Sequence, residues 1–205
     1  QAHFISNSGK KGGSKGEKSF VSSGSSKSKE IAIIDILQLK DRRTTVMIRH
    51  IPNKYTLDDL VVEIDELFYE KYTYINLPLD YSNFHNLGYG FINFTDPLHI
   101  VLFHETFVNN KWQKYKSDKK IEMNYAEKQN NANYHYKKQD NTYFFECNEK
   151  FAPPVEIPSK YLEIFTSFHP HSQIENKKEA ETFLVTGYEL SSNYMSKKER
   201  LKEGK

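Results

Sequence analysis

The chain has 205 residues, 37% hydrophobic against 27% charged, and its mean hydropathy of −0.75 leaves too little apolar surface for two domains, so one compact domain with solvated flanks is expected. No apolar run is long enough to span a membrane, the N-terminus lacks the apolar core of a signal peptide, and Cys147, standing alone, excludes an intrachain disulfide, a cysteine-rich zinc site and a CxxC pair. The net charge of +2 hides a segregation: residues 1–30 carry six Lys against two Glu, whereas residues 42–128 hold eleven basic groups against twelve acidic ones, so this is not a basic domain, and any polyanion contact would have to come from patches and from stacking.

Residues 1–30, beginning at Gln1 without a methionine and so read as part of a fragment, are rich in Ser, Gly and Lys. They are a disordered segment, serving as a solubilising spacer rather than as a basic arm. Residues 31–138 hold the folded domain with its extensions. Ile31 to Leu39 is a short apolar segment that packs on the domain edge or forms a short helix. Thr45 to Ile51 reads as a strand, with Val46 and Ile48 on one face and Met47 and Arg49 on the other. Thr56 three residues before Asp59 is a capping box. Leu57, Leu60, Val61, Ile64, Leu67 and Phe68 give the helix that follows an apolar face, while Asp58, Asp59, Glu63, Glu66 and Glu70 form its outer one. Tyr74 to Leu79 is a second strand, followed by a polar loop from Asp80 to Asn86, and Gly88 to Phe94 is a third with Tyr89, Phe91 and Asn93 on one face. Asp96-Pro97 starts a second helix, buried through Ile100, Val101, Phe103 and Phe107, and Ile121 to Tyr125 is a fourth strand.

The order β-α-β-β-α-β predicts an α+β, ferredoxin-like fold: a four-stranded antiparallel sheet with two helices on one face and the other face bare. On that bare face Tyr89 and Phe91 offer adjacent rings on which nucleobases can stack. The run Leu87-Gly88-Tyr89-Gly90-Phe91-Ile92-Asn93-Phe94 resembles the octamer of the RNA recognition motif, and Val46 to Ile51 resembles its companion hexamer. Leu87 stands where a basic residue is usual, Met47 where an aromatic is usual and His50 where Asn is common. With Ile51-Pro52-Asn53-Lys54-Tyr55-Thr56 and Trp112, these departures resemble the C-terminal RNA recognition motif of the Mei-two-like proteins, plant and fungal regulators of meiosis and development, over about residues 42 to 136. The resemblance implies a module of nucleus or cytoplasm that recognises particular transcripts by single-stranded RNA binding and promotes meiotic gene expression; a monomer without membrane contact is expected.

The candidate RNA-binding residues are Tyr89, Phe91, Met47, Arg49, Asn93, Lys54, Lys116, Lys119 and Lys120: rings and thioether for stacking, Arg49 for phosphate or a base edge, the lysines for backbone phosphate. Trp112 reads as a core anchor, and Tyr134 to Lys138 as a cap on the sheet edge. Residues 139–205 are an extension, partly docked through Phe144 and Phe145, with an extended stretch before Pro158, a short helix over 175–184 and flexible remainder, able to engage protein partners. No enzyme is expected, since Gly88-Tyr89-Gly90 lies in a strand and lacks the third glycine of a phosphate loop. No metal or cofactor is expected either, because His169 and His171 have no acid or thiol placed to complete a shell. The alternative is a module of the same fold that recruits a protein partner to an RNA–protein complex.

Overall fold

The computed structural model describes residues 29–129, 141–145, 153–177 and 181–188. Apolar alternation over residues 45–49 becomes strand β1 (Thr45–Arg49), which stops where His50 takes a positive φ of 62°. Helix α2 (Leu57–Phe68) starts on the expected capping box: Asp59 N–H donates to Thr56 Oγ1 at 3.2 Å and Thr56 N–H donates to Asp59 Oδ2 at 3.1 Å. Strands β2 (Tyr72–Asn76) and β5 (Tyr89–Phe94) follow. Between them Leu79–Asp80 (β3) and His85–Asn86 (β4) pair as a small hairpin, so the second strand is shorter than the alternation predicts and the polar loop has a paired base. Helix α3 (His99–Phe107) begins three residues after Asp96, because Pro97 and Leu98 form a turn whose Leu98 N–H donates to Asp96 Oδ1 at 2.8 Å. Strand β6 (Glu122–Tyr125) closes the expected βαββαβ unit.

The sheet has five strands, ordered β6-β1-β5-β2-β7, all antiparallel neighbours, the fifth being β7 (Thr142–Phe144) on the free edge of β2. Helices α2 and α3 seal one face. Val46, Ile48, Ile75, Ile92 and Phe94 meet Leu60, Ile64, Phe68, Ile100 and Phe103 there, with Phe103 and Phe107 stacked at 4.5 Å. Gly90 leaves no room for a side chain there, since a Cβ would come within 2.9 Å of the Asn76 carbonyl oxygen and 3.3 Å of Ile51 Cδ1. A bulge between Tyr72 and Tyr74 breaks the alternation of β2, so that Tyr72 opposes buried Phe94 while Tyr74 opposes Asn93 on the other face.

Three expectations are corrected. Glu63 is buried rather than on the outer face of α2, because it accepts the Tyr55 hydroxyl at 2.5 Å and the Gln113 N–H at 3.1 Å, whereas Leu67 is 54% exposed. The helix expected over 175–184 is instead the hairpin of β9 (Gln173–Lys177) and β10 (Thr182–Thr186), which pairs with β8 (Val155–Pro158) in a three-stranded sheet. The helix of this C-terminal unit is α4 (Leu162–Phe168), and the unit packs on α3 and on α1 (Ile33–Leu37). It is fastened by a buried ion pair, Lys71 Nζ to Glu156 Oε1 at 2.9 Å, and by Tyr188, whose hydroxyl donates to Asp96 Oδ2 at 3.1 Å. The extension is therefore docked well beyond Phe144 and Phe145. The sequence-predicted cap at Tyr134 to Lys138 lies outside the described residues. No described helix is long and apolar enough to cross a membrane.

Candidate nucleic-acid interface

The register across β1, β5 and β6 assembles the open face. Arg49 lies opposite Tyr89 and Met47 opposite Phe91, while on the other side Arg49 faces Glu122 and Met47 faces Asn124. Tyr89 and Phe91 are half-buried, their centroids 5.8 Å apart and their planes at 81°, so the two rings support one another edge to face and keep outer surface for a ligand. Arg49 is exposed and makes no ion pair among the described residues, which leaves its five donors for an incoming acceptor.

Asn93, on the same face one step further along β5, is placed differently. It is buried, its Oδ1 accepts the hydroxyls of Thr45 at 2.7 Å and Thr44 at 2.9 Å, and its Nδ2 donates to Thr73 Oγ1 at 2.8 Å. Its amide ties β1, β5 and β2 together and has little left to offer a base.

The lysine-rich segment between α3 and β6 folds back over the end of β1. Trp112 is buried there and donates its indole N–H to the His50 carbonyl at 3.0 Å, which makes it the anchor expected of it. His50 Nδ1 lies 3.0 Å from the Lys120 carbonyl oxygen, and Lys119 Nζ donates to Asn53 Oδ1 at 3.2 Å. Two of the five lysines are neutralised: Lys111 pairs with Asp118, and Lys114 with Asp59, whose carboxyl is held below its ordinary range by Lys114 and the Thr56 cap against the opposing effect of burial. Lys116, Lys119 and Lys120 are exposed and form no ion pair among the described residues. Lys119, through Asn53, and Lys120, through His50, put positive charge beside the end of β1, and Lys54 is exposed in the loop that follows it.

Phe144, expected to dock the extension together with Phe145, is instead 49% exposed, and its place on the open face is what sequence reasoning missed. It lies opposite Tyr74 on the open face of β7, with ring centroids 6.2 Å apart. The signal was present in Thr142-Tyr143-Phe144-Phe145, a short run of strand-favouring residues. Among the described residues no three His, Cys, Asp or Glu side chains cluster as metal ligands.

A βαββαβ chain with paired rings on the open face of its third long strand defines an RNA recognition motif, and the family model described as RNA recognition motif 2 matches residues 43–139. Protein MEI2-like 4 of Oryza sativa subsp. japonica is 45% identical over 97 residues, covering 47% of this chain and 10% of that protein. Protein MEI2-like 1 of Arabidopsis thaliana is 44% identical over 97 residues, covering 47% of this chain and 11% of that protein. Among solved structures, the RNA15 RRM shares 15% identity at a TM-score of 0.34, covering 42% of this chain and 92% of that one. Sex-lethal RNA recognition domains 1 and 2 from Drosophila melanogaster share 20% at 0.31, covering 40% and 49%. Residues 43–139 are an RNA recognition motif of the Mei2-like family. The chain spans about a tenth of the length of the curated relatives it matches.

Proposed function

We propose that this chain binds single-stranded RNA across the open face of its sheet, selects particular transcripts, and serves a Mei2-like regulator that promotes meiotic gene expression in nucleus or cytoplasm. The observation that carries the reading is the pair of half-buried rings at Tyr89 and Phe91, on a central strand and next to Arg49, whose exposed guanidinium forms no ion pair among the described residues. Bases lie on the two rings, with Met47 beside Phe91 as an apolar floor; Arg49 and Lys54, Lys116, Lys119 and Lys120 meet phosphate. Stacking of this kind is worth about 1–3 kcal/mol per base. Tyr89→Ala and Phe91→Ala are therefore each expected to weaken binding of a twelve-nucleotide RNA of degenerate sequence by roughly tenfold or more, with the thermal midpoint little changed. Undiminished affinity in both variants, measured by fluorescence anisotropy, removes stacking from the account. Enrichment of particular sequences from a random RNA pool tests the selectivity.

A second reading, recruitment of a protein partner, is favoured by one observation: α2 exposes Val62 (66%) and Leu67 (54%) on the helical side of the domain. Val62→Asp with Leu67→Asp separates the two, since it spares RNA affinity and abolishes capture of a protein bound on that side.

A further inference from the structure

Strand β7 is pinned to β2 by more than its ladder. Asn141 Nδ2 donates to the Leu77 carbonyl at 2.7 Å while Leu77 N–H donates to the Asn141 carbonyl at 3.1 Å. Phe145 N–H donates to the Thr73 carbonyl at 2.9 Å, and Asn76 Nδ2 to Thr142 Oγ1 at 2.8 Å. Tyr143 and Phe145 turn to the helical side, where the Phe145 ring lies 5.2 Å from that of Tyr69 and 5.9 Å from that of Tyr72, and the Tyr143 ring 6.3 Å from Tyr72. The anchoring is complete without the side chain between them. Phe144 nevertheless carries a large apolar ring, 49% exposed, on the same face as Tyr89 and Phe91.

The register fixes where that ring lies. Phe91, Asn76 and Thr142 form one row across β5, β2 and β7, and Asn93, Tyr74 and Phe144 form the next. With neighbouring strands ~4.8 Å apart and ~3.4 Å per residue, Phe144 stands about 12 Å from Phe91 along the backbone grid. One base cannot cover both. Its floor is also prepared: the bulge turns Tyr74 onto this face, and the tyrosine ring backs Phe144 at 56°.

We propose that Phe144, backed by Tyr74, is a third stacking platform that takes a further nucleobase of the same single strand and extends the RNA footprint across β2 onto β7. This rests on the RNA-binding reading above. It assigns the fifth strand a ligand as well as a structural role, and it sets a minimum length: an RNA that ends on Tyr89 and Phe91 does not reach Phe144.

The test is length dependence, read by anisotropy with degenerate RNAs of two and twelve nucleotides on the full chain, the shorter being just long enough for Tyr89 and Phe91. Phe144→Ala is expected to weaken the twelve-nucleotide RNA by roughly tenfold and to leave the two-nucleotide RNA unchanged, whereas Phe144→Tyr keeps wild-type affinity for both. Tyr89→Ala weakens both lengths. If Phe144→Ala leaves the long RNA unaffected while Tyr89→Ala weakens it, the third platform is overturned and RNA binding on the first two stands. Equal losses on both lengths, or failure of Phe144→Tyr to restore binding, also overturn it, because the effect would then belong to the fold. If neither Tyr89→Ala nor Phe144→Ala matters, the RNA reading itself has failed.

Discussion

At position 99 the first residue of α3 is an imidazole that is fully enclosed, with neither ring nitrogen hydrogen-bonded among the described protein atoms. Burial pushes its pKa down to about 3, helped by the Lys71 cation and opposed by the Glu156 carboxylate. An unfolded histidine titrates near 6.5. The folded state therefore holds this ring neutral, and the stability it contributes is complete above about pH 6.5 and lost as the pH falls from there toward 3. The expected slope approaches ~1.4 kcal/mol per pH unit for the one proton involved. His99→Leu, which sacrifices no hydrogen bond, should flatten the fall in urea midpoint between pH 6.5 and 4.5; an unaltered profile would put the acid sensitivity elsewhere. The same enclosure shows why the sequence did not reveal this residue: the helical spacing marks Ile100, Val101, Phe103 and Phe107, and a histidine one place ahead carries no periodic signal.

Elements whose signals are local were the legible ones. The capping box at Thr56, the alternation in β1 and β5 and the apolar spacing of α3 all hold, and with them the two rings and Arg49 on one face. What failed depended on distant partners. Glu63 looks solvated by its place on α2, but the Tyr55 hydroxyl and the Gln113 N–H come to it from loops on either side. Glu175 to Leu184 is full of good helix formers, yet pairing with β8 recruits Thr182-Phe183-Leu184-Val185 as a strand. Asn93 shares a face with Phe91, and only the threonines of two neighbouring strands show that its amide is already committed. The loop before β6 carries its own expectation. Lys116, Lys119 and Lys120 are its cations outside ion pairs, so their replacement by Gln should lower the steepness of log affinity against log salt by about two, at roughly 0.7 for each phosphate no longer neutralised on a single strand. The same substitution in Lys111 and Lys114, already paired, should change it far less; equal effects would show that the ion pairs give way when RNA arrives.

The whole molecule is built as a sheet with two differently used sides. On one, the C-terminal unit joins the core through Phe165, Ile157 and Val185, packs β8 on α3, and is held to the turn before β2 by Lys71–Glu156, whose side chains are 10% and 9% exposed. Removing one member of such a pair strands the other charge in a low dielectric, at a typical cost of ~3–5 kcal/mol. Glu156→Leu should lower the denaturant midpoint by a corresponding amount, with helical and aromatic signals still lost together. Two separated transitions would mean that the unit rides on the domain without sharing its cooperativity. On the other side lies the face with the rings, and at its border sits the chain's single indole, Trp112, donating to the carbonyl of His50, the residue after Arg49. The protein thus carries its own fluorophore at the rim of the proposed contact, wired by a hydrogen bond to the strand end that an arriving phosphate would touch. Occupancy can be followed from tryptophan emission in the unlabelled chain.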